Sequence, residues 1–288
     1  MNSTPGLWQR IPVLVRAVLT GLVVLFFGAS VWLGILIGSR RLTVSVPWAT
    51  GPVFLLFGFF FLWAYWRYLG GRGWPRLTAE ARRERLRVHP LPGGVWAWAL
   101  CAGVLAVTSY IALIFVWARL IHLQPYGSGF PRYSALTTLC LLLGASIEAG
   151  LVEEAAFRGY MQVPLEKRYG PAVAIVVVSL VFGAAHLANG YRELTWDLPY
   201  VLFGAILGTL AYLTNSLLPG VVLHAAGDAA RFLLVWKLGP NPPKVLIWQS
   251  GPDASFWASL AVASAFGIAA VWAYGKLAVS ARLEAKHS

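Results

Sequence analysis

Acidic residues are scarce in this chain of 288. Eleven Asp and Glu stand against 23 Lys and Arg, giving a formal net charge of +12. Cysteine is scarcer still: Cys101 and Cys140 fall in separate apolar stretches, and neither has a CxxC partner. They read as buried packing residues and not as a disulfide or a metal pair. No repeat of short period, no C-terminal CaaX box and no HExxH motif is present. No loop is long enough to fold as a soluble domain, since the stretch of about twenty residues around Gln249 is too short. What the chain has in excess is apolar residues, at 58%, with a mean hydropathy of +0.67. A soluble domain of this character would aggregate, which leaves a polytopic membrane protein.

Eight apolar spans can be drawn, at 13–38, 48–69, 95–121, 134–163, 172–188, 198–214, 218–236 and 256–279. The first stretch, from residue 11, is too long for a signal-peptide h-region and reads as a spanning helix. The expected fold is therefore all-α, a polytopic membrane helical bundle with an intramembrane polar cavity, forming a single integral membrane domain over 1–288. Its parts are N-terminal spans at 13–133, a core at 134–236 and a last span at 256–279. The basic residues cluster between spans, where they meet anionic headgroups, so the positive charge implies no nucleic acid. Trp is abundant, with 14 residues, which suits interfacial belts. Arg72, Arg76, Arg82, Arg83, Arg85 and Arg87 fall on one side with Lys167, Arg168, Lys276, Arg282 and Lys286. Arg40, Arg41, Arg132, Arg192 and Lys244 fall on the other. This bias places both termini in the cytoplasm. Within the Arg-rich loop, 78–87 suits an amphipathic helix on the membrane surface.

Against this background Glu153, Glu154 and Arg158 stand out at membrane depth, where ionisable groups are costly unless they pair, line a wet cavity or do chemistry. His186, His224 and Asp228 lie at similar depth. Glu154 and Arg158 are four apart and can pair on one helix face, leaving Glu153 turned to another. The Lys167-Arg168-Tyr169-Gly170-Pro171 stop makes spans four and five an antiparallel hairpin. Glu153 lies 17 residues before Gly170 and His186 lies 16 after it, so both stand roughly 25 Å from the turn. A free carboxylate and an imidazole can then hold and deprotonate a water. His224 and Asp228 are also four apart and share a face of span seven, which opens at the Leu218-Pro219-Gly220 break. A base plus polar donors for an oxyanion is the minimum for amide hydrolysis. No Ser or Cys nucleophile stands out; Ser146 and Ser179 read as packing or hydrogen-bonding residues.

These residues resemble the CPBP family of intramembrane glutamate-type endopeptidases, also called the Abi or CaaX-protease-like family. Its EExxxR, FxxxH and HxxxN/D motifs, each on its own helix, correspond to Glu153-Glu154-x-x-x-Arg158, Phe182-x-x-x-His186 and His224-x-x-x-Asp228. The resemblance covers about 134–234. It implies Glu153 as general base, His186 as holder of the water, Glu154 with Arg158 as support, and His224 with Asp228 as oxyanion site. Asp228 is a departure, because Asn is usual there and a charged Asp would repel an oxyanion. The substrate so implied is a membrane-tethered or lipidated polypeptide, cut with no cofactor. Ala-, Arg- and Trp-rich usage points to a bacterial inner membrane, which disfavours a prenyl substrate.

Other readings stand beside this one. Zinc held by Glu153, His186, His224 and Asp228 would make an intramembrane metalloprotease. A non-enzymatic scaffold, immunity protein or proton-coupled transporter would use the same carboxylates differently. Phe182 reads as packing, and Glu154–Arg158 alone could be structural glue. Glu148 lies at membrane depth about 140° from Glu153 on an α-helical wheel, so it is not expected to share its face. Arg231 is expected at the outer interface or in a water pocket. His89, His122 and His287 need no role.

Overall fold

The computed structural model describes residues 10–121, 133–187, 197–238 and 245–284. Those residues form an all-helical bundle. Six helices are long and apolar enough to cross a membrane, and two more are apolar but shorter. With two further short helices, α3 and α9, the order along the chain is α1 (Val13–Leu42), α2 (Thr50–Leu69), α3 (Ala79–Leu86), α4 (Gly93–Leu120), α5 (Ala135–Tyr169), α6 (Pro171–Leu187), α7 (Asp197–Thr214), α8 (Leu218–Leu238), α9 (Ile247–Ser250) and α10 (Ala254–Glu284). Each of the eight expected spans falls on one helix. Arg132, Arg192, Lys244, Lys286, His122 and His287 lie outside the described residues.

Without a hydrophobic drive between helices in lipid, close approach depends on small residues. α5 is the hub. α1 packs on it through Gly21, whose missing Cβ would meet Met161, and Gly28, whose missing Cβ would meet Val152. α2 packs through Gly51 against Thr137 and Cys140, and Gly144 of α5 seats Phe54 in return. α8 crosses the other side of α5 at Gly150, where a methyl would fall 2.9 Å from the Val221 carbonyl oxygen. α4 and α10 run along one another and, with α7 and α8, enclose a second cluster of Val95, Ala99, Leu207, Leu210, Leu223 and Leu277. Large apolar side chains such as Phe26, Phe59, Ile268 and Val271 face outward, as lipid contact requires.

The helix of α5 runs past the end of its apolar span at 163 and stops at Tyr169, at the Lys167–Pro171 signal where the sequence places its end. The first residue to leave helical geometry is Gly170, at φ 83°, the left-handed conformation that only glycine adopts without strain. One feature of α5 differs from the sequence expectation: its middle is not α-helical. Ala149–Glu153 and Ala155–Met161 are π-helical, with i→i+5 bonding. Gly150 and Gly159 are poor α-helix formers, and Pro164 cannot donate to the Tyr160 carbonyl, so α-helical bonding is weakened along this stretch.

Candidate active site

The π-helical stretch carries the first polar motif. Widening to i→i+5 brings residues five apart onto one face, and Glu148 and Glu153 are five apart. The 140° separation expected from an α-helical wheel is therefore a misreading: Glu148 lies within electrostatic reach of Glu153, His224 and Asp228.

Glu154 and Arg158 are both fully buried and form an ion pair at 2.9 Å. The guanidinium also donates to the Gly204 carbonyl at 3.3 Å and lies over the Phe182 ring, 4.4 Å from its centroid. One turn on, Gln162 donates to the Gly208 carbonyl at 2.9 Å. The Gly204-x-x-x-Gly208 stripe thus lets α7 press against Ser179 of α6 and turn two carbonyls toward α5.

His224, buried on α8, meets the same carboxylate from the other side, its Nδ1 3.0 Å from Glu154 Oε1. A carboxylate held by an arginine only accepts, so Nδ1 carries the proton. Its Nε2 lies 3.8 Å from Glu153 Oε2 and 3.7 Å from Asp228 Oδ2. Gly220 makes this approach possible, since a Cβ there would sit 2.9 Å from Glu154 Oε2. Asp228 faces Arg231 at 3.9 Å, so Arg231 turns back toward the site. Glu153 is partly accessible, at 21% of its side chain, and its Oε2 has no hydrogen-bond partner among the described residues.

His186 stands one turn beyond Phe182 on α6. Arg158 and Phe182 are each twelve residues from Gly170, and their contact fixes the hairpin register. The His186 Nδ1 lies 2.8 Å from the Phe182 carbonyl. A carbonyl cannot donate, so Nδ1–H donates to it and the neutral ring keeps its lone pair on Nε2. The ring stacks on Tyr200 at 3.9 Å between centroids and lies within electrostatic reach of His224, Asp228 and Arg158. Phe182, 1% exposed, separates the two imidazoles, 4.6 Å from His186 and 6.3 Å from His224 by centroid. Ser146 and Ser179 are buried and donate to backbone carbonyls of their own helices.

Glu153, Glu154, Arg158, His224 and Asp228 thus converge, Glu148 joins them electrostatically, and His186 adjoins through Phe182. Among the described residues no three His, Cys, Asp or Glu side chains are grouped so as to hold a metal ion. Arg87, read from the sequence only as one cation of the basic loop, reaches the backbone of the site. It ends α3 in the left-handed region at φ 38°. Its buried guanidinium donates to the Arg158 carbonyl at 2.7 Å and to Glu166 at 2.9 Å. Burial pulls that guanidinium below its usual value, and the Glu166 carboxylate opposes the shift. Its own carbonyl accepts from Leu217 N–H, and that of His89 accepts from the Ser216 hydroxyl. One segment therefore ties α5 to the α7–α8 turn. Gln162 was missed, although its spacing from Arg158 matches that of Gly204 and Gly208 and was open to reading.

Residues 135–230, which carry all three motifs, match the family model described as Rce1-like, type II CAAX prenyl endopeptidase Rce1-like. No curated protein and no solved structure gives a significant match.

Proposed function

We propose that this chain, whose residues 135–230 match the Rce1-like family model, is an intramembrane endopeptidase that uses a carboxylate-activated water. The observation that carries the reading is the contrast between adjacent glutamates. Glu154 is tied to Arg158 and His224. Glu153 keeps a buried oxygen with no hydrogen-bond partner among the described residues, 3.8 Å from the His224 ring, longer than a direct hydrogen bond and short enough for one bridging molecule.

In this mechanism Glu153 takes a proton from water as the water oxygen attacks the scissile carbonyl. The His186 Nε2 lone pair, fixed by the bond from Nδ1 to Phe182, accepts the water's other hydrogen bond. His224, protonated at both nitrogens, donates from Nε2 to the oxygen that gains negative charge. Collapse breaks the C–N bond, and Glu153 passes its proton to the departing amine. Asp228, facing Arg231 and the His224 ring, orients that ring and is not itself a donor to the oxyanion. Glu154 and Arg158 hold His224 in place. The substrate is a membrane-tethered or lipidated polypeptide, and the enzyme sits in a bacterial inner membrane with both termini cytoplasmic.

The test is cleavage of a library of lipidated and transmembrane peptides by purified protein and by Glu153→Gln. The variant should fold normally and lose about 10²-fold or more in rate. Equal cleavage by the variant ends the assignment of the base. Activity abolished by a chelator and restored by zinc would put the zinc reading in its place.

A further inference from the structure

Where α2 meets the Arg-rich loop the surface opens into a cavity of about 600 Å³. Trp63, Trp66, Arg67, Arg72 and Arg83 line it, with no acidic residue in the wall. These three arginines form no ion pair among the described residues. Three guanidiniums lining one wall, with no acidic residue among the described residues of that wall, call for an anion from outside the chain.

The surroundings say which anion. Arg67 stands in the last turn of α2, its guanidinium over the Trp63 ring at 4.8 Å. Trp63 is 54% exposed and continues the outward row of Phe59 and Phe60 on α2, so the cavity opens along a lipid-facing surface. The adjoining loop presents Trp74 at 86% and Leu77 at 97% exposure, side chains that suit the acyl boundary of a bilayer. The adjoining cavity shares Arg83 and sets it, with Arg87 and Lys167, against Glu80, Glu84 and Glu166; its charge is balanced and it lacks this apolar flank, so Arg67 and Arg72 are the cations that belong to the first cavity alone. We infer that the first cavity is a binding site for an anionic phospholipid. Its phosphate lies among Arg67, Arg72 and Arg83, and an acyl chain runs past Trp63. The volume falls in the range of small-molecule sites, and basic pockets between membrane helices suit such headgroups. The cavity also touches the π-helical segment, because Trp66 Nε1 donates to the Leu151 carbonyl at 3.3 Å. The inference stands whether or not the chain cleaves peptides.

Native mass spectrometry of the delipidated full chain, titrated with phosphatidylglycerol, tests it. One phosphatidylglycerol should be retained more tightly than phosphatidylcholine. Arg67→Gln/Arg72→Gln/Arg83→Gln should weaken retention by about tenfold or more, while Arg40→Gln/Arg41→Gln at the far end should not. Unchanged retention in the triple variant overturns the site, and displacement of the lipid by equimolar inorganic phosphate overturns its assignment to lipid. If the triple variant unfolds, Arg72→Glu in its exposed turn replaces it, with weaker retention at unchanged Tm expected and unchanged retention overturning the proposal.

Discussion

His224 is where the charges of the site meet: both ring nitrogens face carboxylates, and three acids lie within 4 Å of the ring. Its orientation depends on a pair with no access to water. Removing one member of such a pair leaves an uncompensated charge, at a cost of about 3–5 kcal/mol. Arg158→Met should therefore lower Tm markedly, and Glu154→Gln added to it should recover part of the loss. A double variant no more stable than Arg158→Met alone would show that the pair is not the source. His186 presents a different case. His186→Phe keeps the stacking on Tyr200 but removes the Nε2 lone pair, so on the proposed mechanism activity should fall by about 10²-fold or more with little change in Tm. Both predictions start from residues legible in the sequence. The bond between His224 and Glu154 was not legible, because it depends on how α8 crosses α5, and nothing in the spacing within either helix encodes that.

At the scale of elements, the helices themselves were readable because each is an apolar run closed by a turn signal, as at Gly170 and Pro219. The π-helical stretch was not. Any wheel drawn at 100° per residue assumes the bonding that this stretch abandons, and the error fell on Glu148. The crossing of α8 over α5 relies on two glycines with no space beside them. Gly220→Ala would push a methyl against Glu154 and Gly150→Ala one against Val221 and Ala225. Each should destabilise by about 1–3 kcal/mol, measured by thermal unfolding in detergent, and Gly220→Ala should also reduce cleavage. Gly227, whose Cβ position meets no atom of the described residues within 4 Å, is the control: Gly227→Ala should leave Tm equal or higher.

At the scale of the whole molecule, α4 and α10 are clasped at one end by Asp253. Its carboxylate caps α10 through Ser255 and the Phe256 N–H and accepts from Arg119 at 2.7 Å. These bonds hold it well below the usual carboxylate range. A depressed carboxylate contributes stability above its unfolded value, near pH 4, and loses it as pH falls toward the folded value. Asp253→Asn should thus lower Tm at pH 7, with the difference shrinking below about pH 4. A difference constant with pH would contradict the clasp.

The same scale reveals an uneven floor. Glu153 and His224 stand side by side, yet Gly170 lies 17 residues from the first and Leu217 only seven from the second. The α5–α6 tip therefore reaches roughly 15 Å deeper than its neighbour. α5 is about 50 Å long against a hydrocarbon core near 30 Å, so on the proposed topology that tip projects past the core, carrying Lys167, paired with Glu84, and Arg168. Trypsin added to sealed vesicles of known sidedness should nick there from one face alone, and on the proposed function that face identifies the compartment on whose side the scissile bond is delivered.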